Sequence, residues 1–222
     1  MGVFDTWLCR RRLLAGLAAV SGVMAVLPAL AAAPTPRQPM GPFYPSRKPL
    51  ESDNDLTRVA GQSGRAKGRL LHVTGRVLDP DHRPVSGARI EIWQTNAFGR
   101  YHHPQDGRDA PLDPSFQGYG RDRAGDDGGY RFRTVEPAAY PVSAGWVRPP
   151  HIHFRVKAPG FETLVTQMYF AGEPLNEKDP LLGAIGDPAE RARLVVSPQP
   201  PPPDLEPDSR VAVFDIWLRR PA

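Results

Sequence analysis

The residues able to do chemistry lie between Trp93 and Phe170, and the sharpest local feature among them is His151-Ile152-His153. On a β-strand, residues i and i+2 point to the same side, about 6.6 Å apart along the chain. Two imidazoles so placed can converge on one metal ion, or they can both face solvent. The rest of the sequence narrows the choice of metal. The one cysteine, Cys9, lies far upstream, which excludes thiolate ligands, a cysteine nucleophile and an intrachain disulfide. A two-histidine, one-carboxylate site would want an acid close by, yet Lys157 stands four residues after His153 and the next acid is Glu162. Tyrosines are better placed. Tyr101 follows Gly99-Arg100, and Tyr140 lies between Ala139 and Pro141. Two phenolates and two imidazoles suit a hard, strongly Lewis-acidic ion such as Fe(III). Only such an ion brings phenols from a pKa of about 10 to the ionised form at neutral pH. Taken singly, each tyrosine also reads as a core or edge aromatic.

Short strands must position these groups. From Leu70 onward, strand-like runs alternate with turn signals, over residues 72–78, 88–94, 130–135, 152–156, 164–170 and 210–218. In the run at 88–94, Ala88, Ile90 and Ile92 share one face while Arg89, Glu91 and Trp93 share the other. Ile152, Phe154 and Val156 likewise form an apolar face, which leaves His151 and His153 on the opposite one. Six or seven such runs predict an all-β fold: an antiparallel β-sandwich with long active-site loops and little helix. Residues 98–123 read as one long loop, and long ordered loops usually serve a purpose. Ser197-Pro198-Gln199-Pro200-Pro201-Pro202-Pro203 reads as a polyproline-II-like connector, and the one expected helix is short, near 188–194.

The 222 residues suit one domain with a short appendage. With 27 prolines and 21 glycines a helical bundle is disfavoured, while 40% hydrophobic content still builds a core. The net charge of +4 is small, and no Lys/Arg cluster is interleaved with aromatics, so no nucleic-acid partner is expected. Cys9-Arg10-Arg11-Arg12, a mildly apolar run and the exit Ala29-Leu30-Ala31-Ala32-Ala33 make residues 1–33 a signal peptide of twin-arginine type. The expectation is export, to the periplasm, with no stable membrane insertion after cleavage. The competing reading is an uncleaved anchor, since residues 13–33 come close to the roughly 20 that span a bilayer, but Gly16, Ser21, Gly22 and Pro28 weaken it.

Five motifs then agree in order and spacing with one family. Ile92-Trp93-Gln94-Thr95-Asn96-Ala97-Phe98-Gly99-Arg100-Tyr101, Pro111-Leu112-Asp113-Pro114-Ser115-Phe116, Tyr130-Arg131-Phe132-Arg133-Thr134, Trp146-Val147-Arg148-Pro149-Pro150-His151-Ile152-His153-Phe154 and Thr166-Gln167-Met168-Tyr169-Phe170 resemble the intradiol ring-cleavage dioxygenases, over roughly residues 68–218. The likeness is greatest to the iron-bearing β-type chain that acts on protocatechuate. The resemblance implies a non-haem Fe(III) centre with Tyr101, Tyr140, His151 and His153 as ligands. It implies that Tyr140 and His151 are axial, with Tyr101, His153 and a hydroxide equatorial. The substrates it implies are a small aromatic diol of catechol type and O2, and the product a muconate. The diol would displace the hydroxide and Tyr140, which take up its protons. Arg148 matches an arginine that stabilises charge developing on the ring, and Gln167 matches a pocket position. Trp93 has the parity of a ligand-side residue and reads as a pocket wall or as packing.

The sequence also departs from the pattern. Where the protocatechuate enzyme has a tryptophan after the Tyr-Pro pair, Val142 stands here, which reshapes one wall. Gly41-Pro42-Phe43-Tyr44 resembles a family segment lying over the pocket, so residues 34–69 are expected to be an N-terminal arm with Gly41, Pro42 and Tyr44 near substrate, and 70–222 the catalytic domain. No counterpart of the family's helical dimerisation segment is present, and a single chain type suggests a homo-oligomer. Export is unusual for this chemistry and suggests a plant- or lignin-derived catechol outside the membrane. Gly75-Arg76-Val77 and Gly129-Tyr130-Arg131-Phe132 also resemble carboxypeptidase-regulatory or transthyretin-like modules, which are exported, non-catalytic sandwiches. That alternative explains the strands but not His151-Ile152-His153, Arg148 or Tyr140-Pro141.

Overall fold

The structure, a computed structural model, describes residues 32–45, 47, 48 and 51–221. The expected signal peptide therefore falls almost wholly outside the described residues. Eleven short strands follow in chain order: β1 (Leu70–Leu78), β2 (Arg89–Gln94), β3 (Tyr119–Arg123), β4 (Gly129–Val135), β5 (Tyr140–Ser143), β6 (Trp146–Arg148), β7 (His151–Lys157), β8 (Leu164–Phe170), β9 (Val195–Val196), β10 (Arg210–Val213) and β11 (Ile216–Trp217). One sheet is centred on β1, with β4 antiparallel on one side and β10 and β11 parallel on the other. A five-stranded sheet runs β3-β2-β7-β8-β9, and β5 and β6 form a separate hairpin.

The core between the two large sheets comes from strand alternation. Val73 and Val77 of β1, Phe132 of β4, Ile90 and Ile92 of β2, and Ile152, Phe154 and Val156 of β7 are all buried in one cluster. Each such side chain contributes roughly 1.5–3 kcal/mol by leaving water. The fold is thus the expected all-β sandwich, with two adjustments. Pairing is mostly antiparallel, but β10 and β11 run parallel to β1, and β9 runs parallel to β8. The loop expected over 98–123 ends sooner, because Tyr119–Arg123 pair with β2.

Among the described residues helix is scarce: the short helix expected near 188–194 is α2 (Pro188–Ala192), and a 3-10 turn at Pro174–Lys178 and α1 (Pro180–Gly183) precede it. Both α-helices start with proline at the first turn and an aspartate cap, Asp179 and Asp187, a pairing that suits orphan helix-start N–H groups. Among the described residues no helix is long and apolar enough to cross a membrane.

The segment before β1 divides in two. Residues 35–45 run along β8 and over the outer face of the five-stranded sheet: Gln38 N donates to Val165 O at 2.9 Å, and Gln167 Nε2 donates to Pro39 O at 2.9 Å. Residues 51–69 instead pack against β3 and β4, where Leu56 is fully buried and Arg133 pairs with Asp55.

Candidate functional site

Strand register builds the site on the outer face of the five-stranded sheet. Trp93 of β2 lies opposite His153 of β7, which lies opposite Gln167 of β8; one step along, His151 faces Tyr169. The Trp93 indole stacks on the His153 ring at 4.7 Å and 6°. His151 Nδ1 is 2.6 Å from Pro149 O, which fixes that nitrogen as the donor and leaves Nε2 with a lone pair, 3.4 Å from Tyr101 Oη.

Both tyrosines arrive on connecting segments. The Asn96 side chain accepts from the N–H groups of Phe98 and Arg100, at 2.9 and 3.0 Å, and so folds the turn that delivers Tyr101. Gly99 sits at φ 80° and a Cβ there would lie 2.4 Å from Ala139 O, so only glycine lets this turn press against the chain just before Tyr140. The two phenol rings end 5.6 Å apart, edge to face, and Tyr140 is 5.7 Å from the His151 ring. All four donors expected from the sequence are thereby brought together and buried.

Burial sets their protonation. It pushes the Tyr101 phenol well above its ordinary value, with Tyr140 adding to the effect. Burial also raises Tyr140, against the pull of Arg148. It pushes His151 down to about 3, helped by Arg148, and holds His153 well below its usual range, helped by His151 and Arg148. Both imidazoles are therefore neutral with lone pairs available, while the phenols need a strong cation nearby to ionise. His153 Nδ1 is buried with no hydrogen-bond partner. No cluster of three His, Cys, Asp or Glu occurs among the described residues, so two phenols and two imidazoles are the donor set on offer. That set fits a hard, multiply charged ion.

Beside the donors opens a cavity of about 330 Å³, lined by Gly41, Pro42 and Phe43 of the arm, Gln105, Asp106, Gly107 and Arg108 of the loop after β2, Tyr140, Pro141, Val142, Trp146 and Arg148 of the hairpin, His153 and Leu181. That volume is at the low end of the roughly 300–1,000 Å³ usual for small-molecule sites. Gly41, at φ 69°, lies against His153, where a Cβ would sit 3.3 Å from the ring. Arg148 stands across the hairpin from Tyr140 and is almost sealed from solvent. Its Nη2 donates to Gln167 Oε1 at 2.7 Å and to Tyr169 Oη at 3.1 Å.

Three residues expected at the pocket sit behind it. Trp93 backs His153, Gln167 backs Arg148, and Tyr44 packs edge-on against Trp93 at 4.9 Å while donating to Glu91 at 2.8 Å. Glu91 also accepts from Tyr119 and pairs with Lys48 and Arg155, so Tyr44 anchors the arm and does not line the cavity. Sequence reasoning did not single out Phe43, Arg108, Trp146 or Asp179. Phe43 stacks on Tyr101 at 4.5 Å, and the Arg108 guanidinium, paired with Asp106, lies 4.2 Å from the centre of the Tyr140 ring. Phe43 was legible from its place inside the arm motif. Asp179 carried no signal beyond that of a helix cap.

Comparison with known proteins gives a consistent result. A family model described as Dioxygenase matches residues 40–219. The protocatechuate 3,4-dioxygenase beta chain of Burkholderia cepacia is 44% identical over 163 residues, 72% of this chain and 68% of that protein. The 6-chlorohydroxyquinol 1,2-dioxygenase of Cupriavidus pinatubonensis is 36% identical over 165 residues, 66% of this chain and 56% of that protein. The chain thus spans about two thirds of the first relative's length and little over half of the second's. Among solved structures, the dioxygenase domain of a dioxygenase carbohydrate-binding protein fusion from Streptomyces sp. SirexAA-E matches with a TM-score of 0.63 at 29% identity, covering 85% of this chain and 100% of that one.

Proposed function

The chain belongs to the Dioxygenase family of intradiol ring-cleaving enzymes, and from that premise we propose that it opens the ring of a catechol-type diol with O2 to give a muconate, using non-haem Fe(III) held by Tyr101, Tyr140, His151 and His153. The observation that carries the reading is the meeting of two neutral imidazoles and two buried phenols beside one cavity. When bound, ferric iron supplies the Lewis acidity that takes the diol as its dianion and makes its ring susceptible to O2.

The chain's own residues do the rest. Of the two phenols, only Tyr140 faces the cavity, and burial favours the protonated form of its Oη. Tyr140 Oη is therefore the atom suited to receive a proton from the incoming diol. The Arg148 guanidinium is fixed at the cavity wall beside it, where a standing positive charge stabilises negative charge developing on the ring. Pro42, Phe43 and Leu181 give the space an apolar lining. Val142, 47% exposed, leaves one wall open, which suits a ring substituent reaching towards solvent.

The test is turnover of catechol, protocatechuate and hydroxyquinol by the iron-loaded protein in ¹⁸O-labelled O2. The expected product is opened between the two hydroxyl-bearing carbons, with one labelled oxygen in each new carboxyl. No turnover, or opening beside the diol, overturns the reading. The matches to ring-cleaving enzymes leave the non-catalytic sandwich module without support.

The N-terminal pattern supports a second part of the proposal, twin-arginine export with processing near Ala31 or Ala33 and action in the periplasm on a plant- or lignin-derived catechol; the single chain type supports a homo-oligomer. N-terminal sequencing of protein from the periplasmic fraction, with its solution mass, tests it. An unprocessed chain in the membrane fraction would contradict it.

A further inference from the structure

A closed ring of contacts surrounds the one buried arginine at the cavity. Arg148 is 4% exposed and Asp179 2% exposed. Arg148 Nε and Asp179 Oδ1 are 3.1 Å apart, a pairing by charge and not by an aligned hydrogen bond. The Asp179 side chain also accepts from Leu181 N at 3.5 Å. Leu181 O accepts from Gln38 Nε2 at 3.1 Å, Gln38 Oε1 is 3.2 Å from Tyr169 Oη, and Tyr169 Oη accepts from Arg148 Nη2 at 3.1 Å. Arg148 and Leu181 line the cavity, whereas Asp179 does not.

An arginine stays charged wherever it is placed, and a buried charge is tolerated only when it is paired. Gln167 and Tyr169 are neutral acceptors, so Asp179 supplies the one opposing charge in contact with the guanidinium. We infer that Asp179 is a positioning residue for the proposed ring cleavage: it fixes the Arg148 guanidinium at the cavity wall beside Tyr140, and through Leu181 and Gln38 it ties that arginine to the arm covering the cavity. The inference rests on the ring-cleavage reading given above.

Asp179→Asn keeps the shape and the capping oxygen and removes the charge. In the iron-loaded protein it is expected to leave the visible absorption spectrum unchanged and KM within about threefold, while kcat falls about 10–100-fold, the scale of an ångström-level misplacement. In an Arg148→Gln background the same change is expected to cost less than about twofold, since residues acting as one unit are not additive. In crystals of the iron-free variant the guanidinium is expected to leave its position in the parent. Equal losses in both backgrounds, an unchanged kcat, or an unmoved guanidinium would overturn the inference. Should Asp179→Asn fail to fold, Gln38→Met breaks the same ring without unpairing a charge, with kcat about 3–10-fold lower and the loss vanishing in Arg148→Gln; additive losses there would equally overturn it. A parent protein that cleaves no diol sinks the underlying reading, whereas an active parent matched by its variant sinks only the role of Asp179.

Discussion

The two faces of the five-stranded sheet differ: β2 and β7 are buried throughout on the inner face, and on the outer face only around Trp93, His151 and His153. On the inner face, Ile90, Ile92, Ile152, Phe154 and Met168 meet the opposing sheet in one apolar cluster. On the outer face, Trp93, His151, His153 and Gln167 are also almost fully buried, but beneath the arm, the β5-β6 hairpin and the loop after β2. The inner face is filled by residues whose partners are strands. The outer face buries imidazoles, phenols and a guanidinium under irregular chain, and Trp93 Nε1 and His153 Nδ1 have no hydrogen-bond partner there. Unsatisfied buried groups are few in native proteins and call for a reason. For His153 the proposed function offers a reason: the desolvation that disfavours charged imidazole leaves the ring neutral, as a metal ligand must be.

Changes on either face should separate function from stability. The largest expected effect is Tyr101→Phe, which removes a single oxygen from the donor set. Turnover should fall at least about 1,000-fold with loss of bound iron, while the denaturation midpoint barely moves; full activity would remove Tyr101 from the ligands. On the inner face, Phe154→Ala should cost about 3–5 kcal/mol in denaturant unfolding and leave kcat per folded molecule within about threefold. A catalytic loss without a stability loss would break the division between faces.

The smallest effect concerns the anchor of the arm. Burial alone would raise the Glu91 carboxyl, but Lys48, Tyr119 and Tyr44 outweigh it and hold it at about 2. A depressed carboxyl stabilises the fold above its unfolded pKa of about 4.5, and that contribution fades as pH falls from there towards 2. Glu91→Gln should therefore lower stability by about 1–3 kcal/mol above pH 5, with the gap to the parent closing below pH 4.5. A gap that widens in acid would show that Glu91 is not held as its carboxylate.

What the sequence revealed follows this contrast. The inner face was legible because alternation in residues 88–94 and 152–156 reports burial against another sheet. The same parity put His151, His153 and Trp93 on the other side, the chemistry of phenolate ligands singled out Tyr101 and Tyr140, and the family resemblance added Arg148. Parity could not tell that Trp93 stacks behind His153 and does not face the cavity, because that depends on the neighbouring strand and on Tyr44. Strand β3 was hidden because Tyr119-Gly120-Arg121-Asp122-Arg123 has no apolar alternation. Asp179 and Gln38 were invisible as partners of Arg148, since only the folded chain brings these distant residues together.

The central claim is that the outer face holds ferric iron through tyrosinate and imidazole. The direct measurement is a visible absorption spectrum of residues 34–222 loaded with Fe(III), before and after adding a catechol without oxygen. The account predicts a red-brown tyrosinate-to-iron charge-transfer band that shifts when the catechol binds. A colourless protein that retains no iron would contradict it.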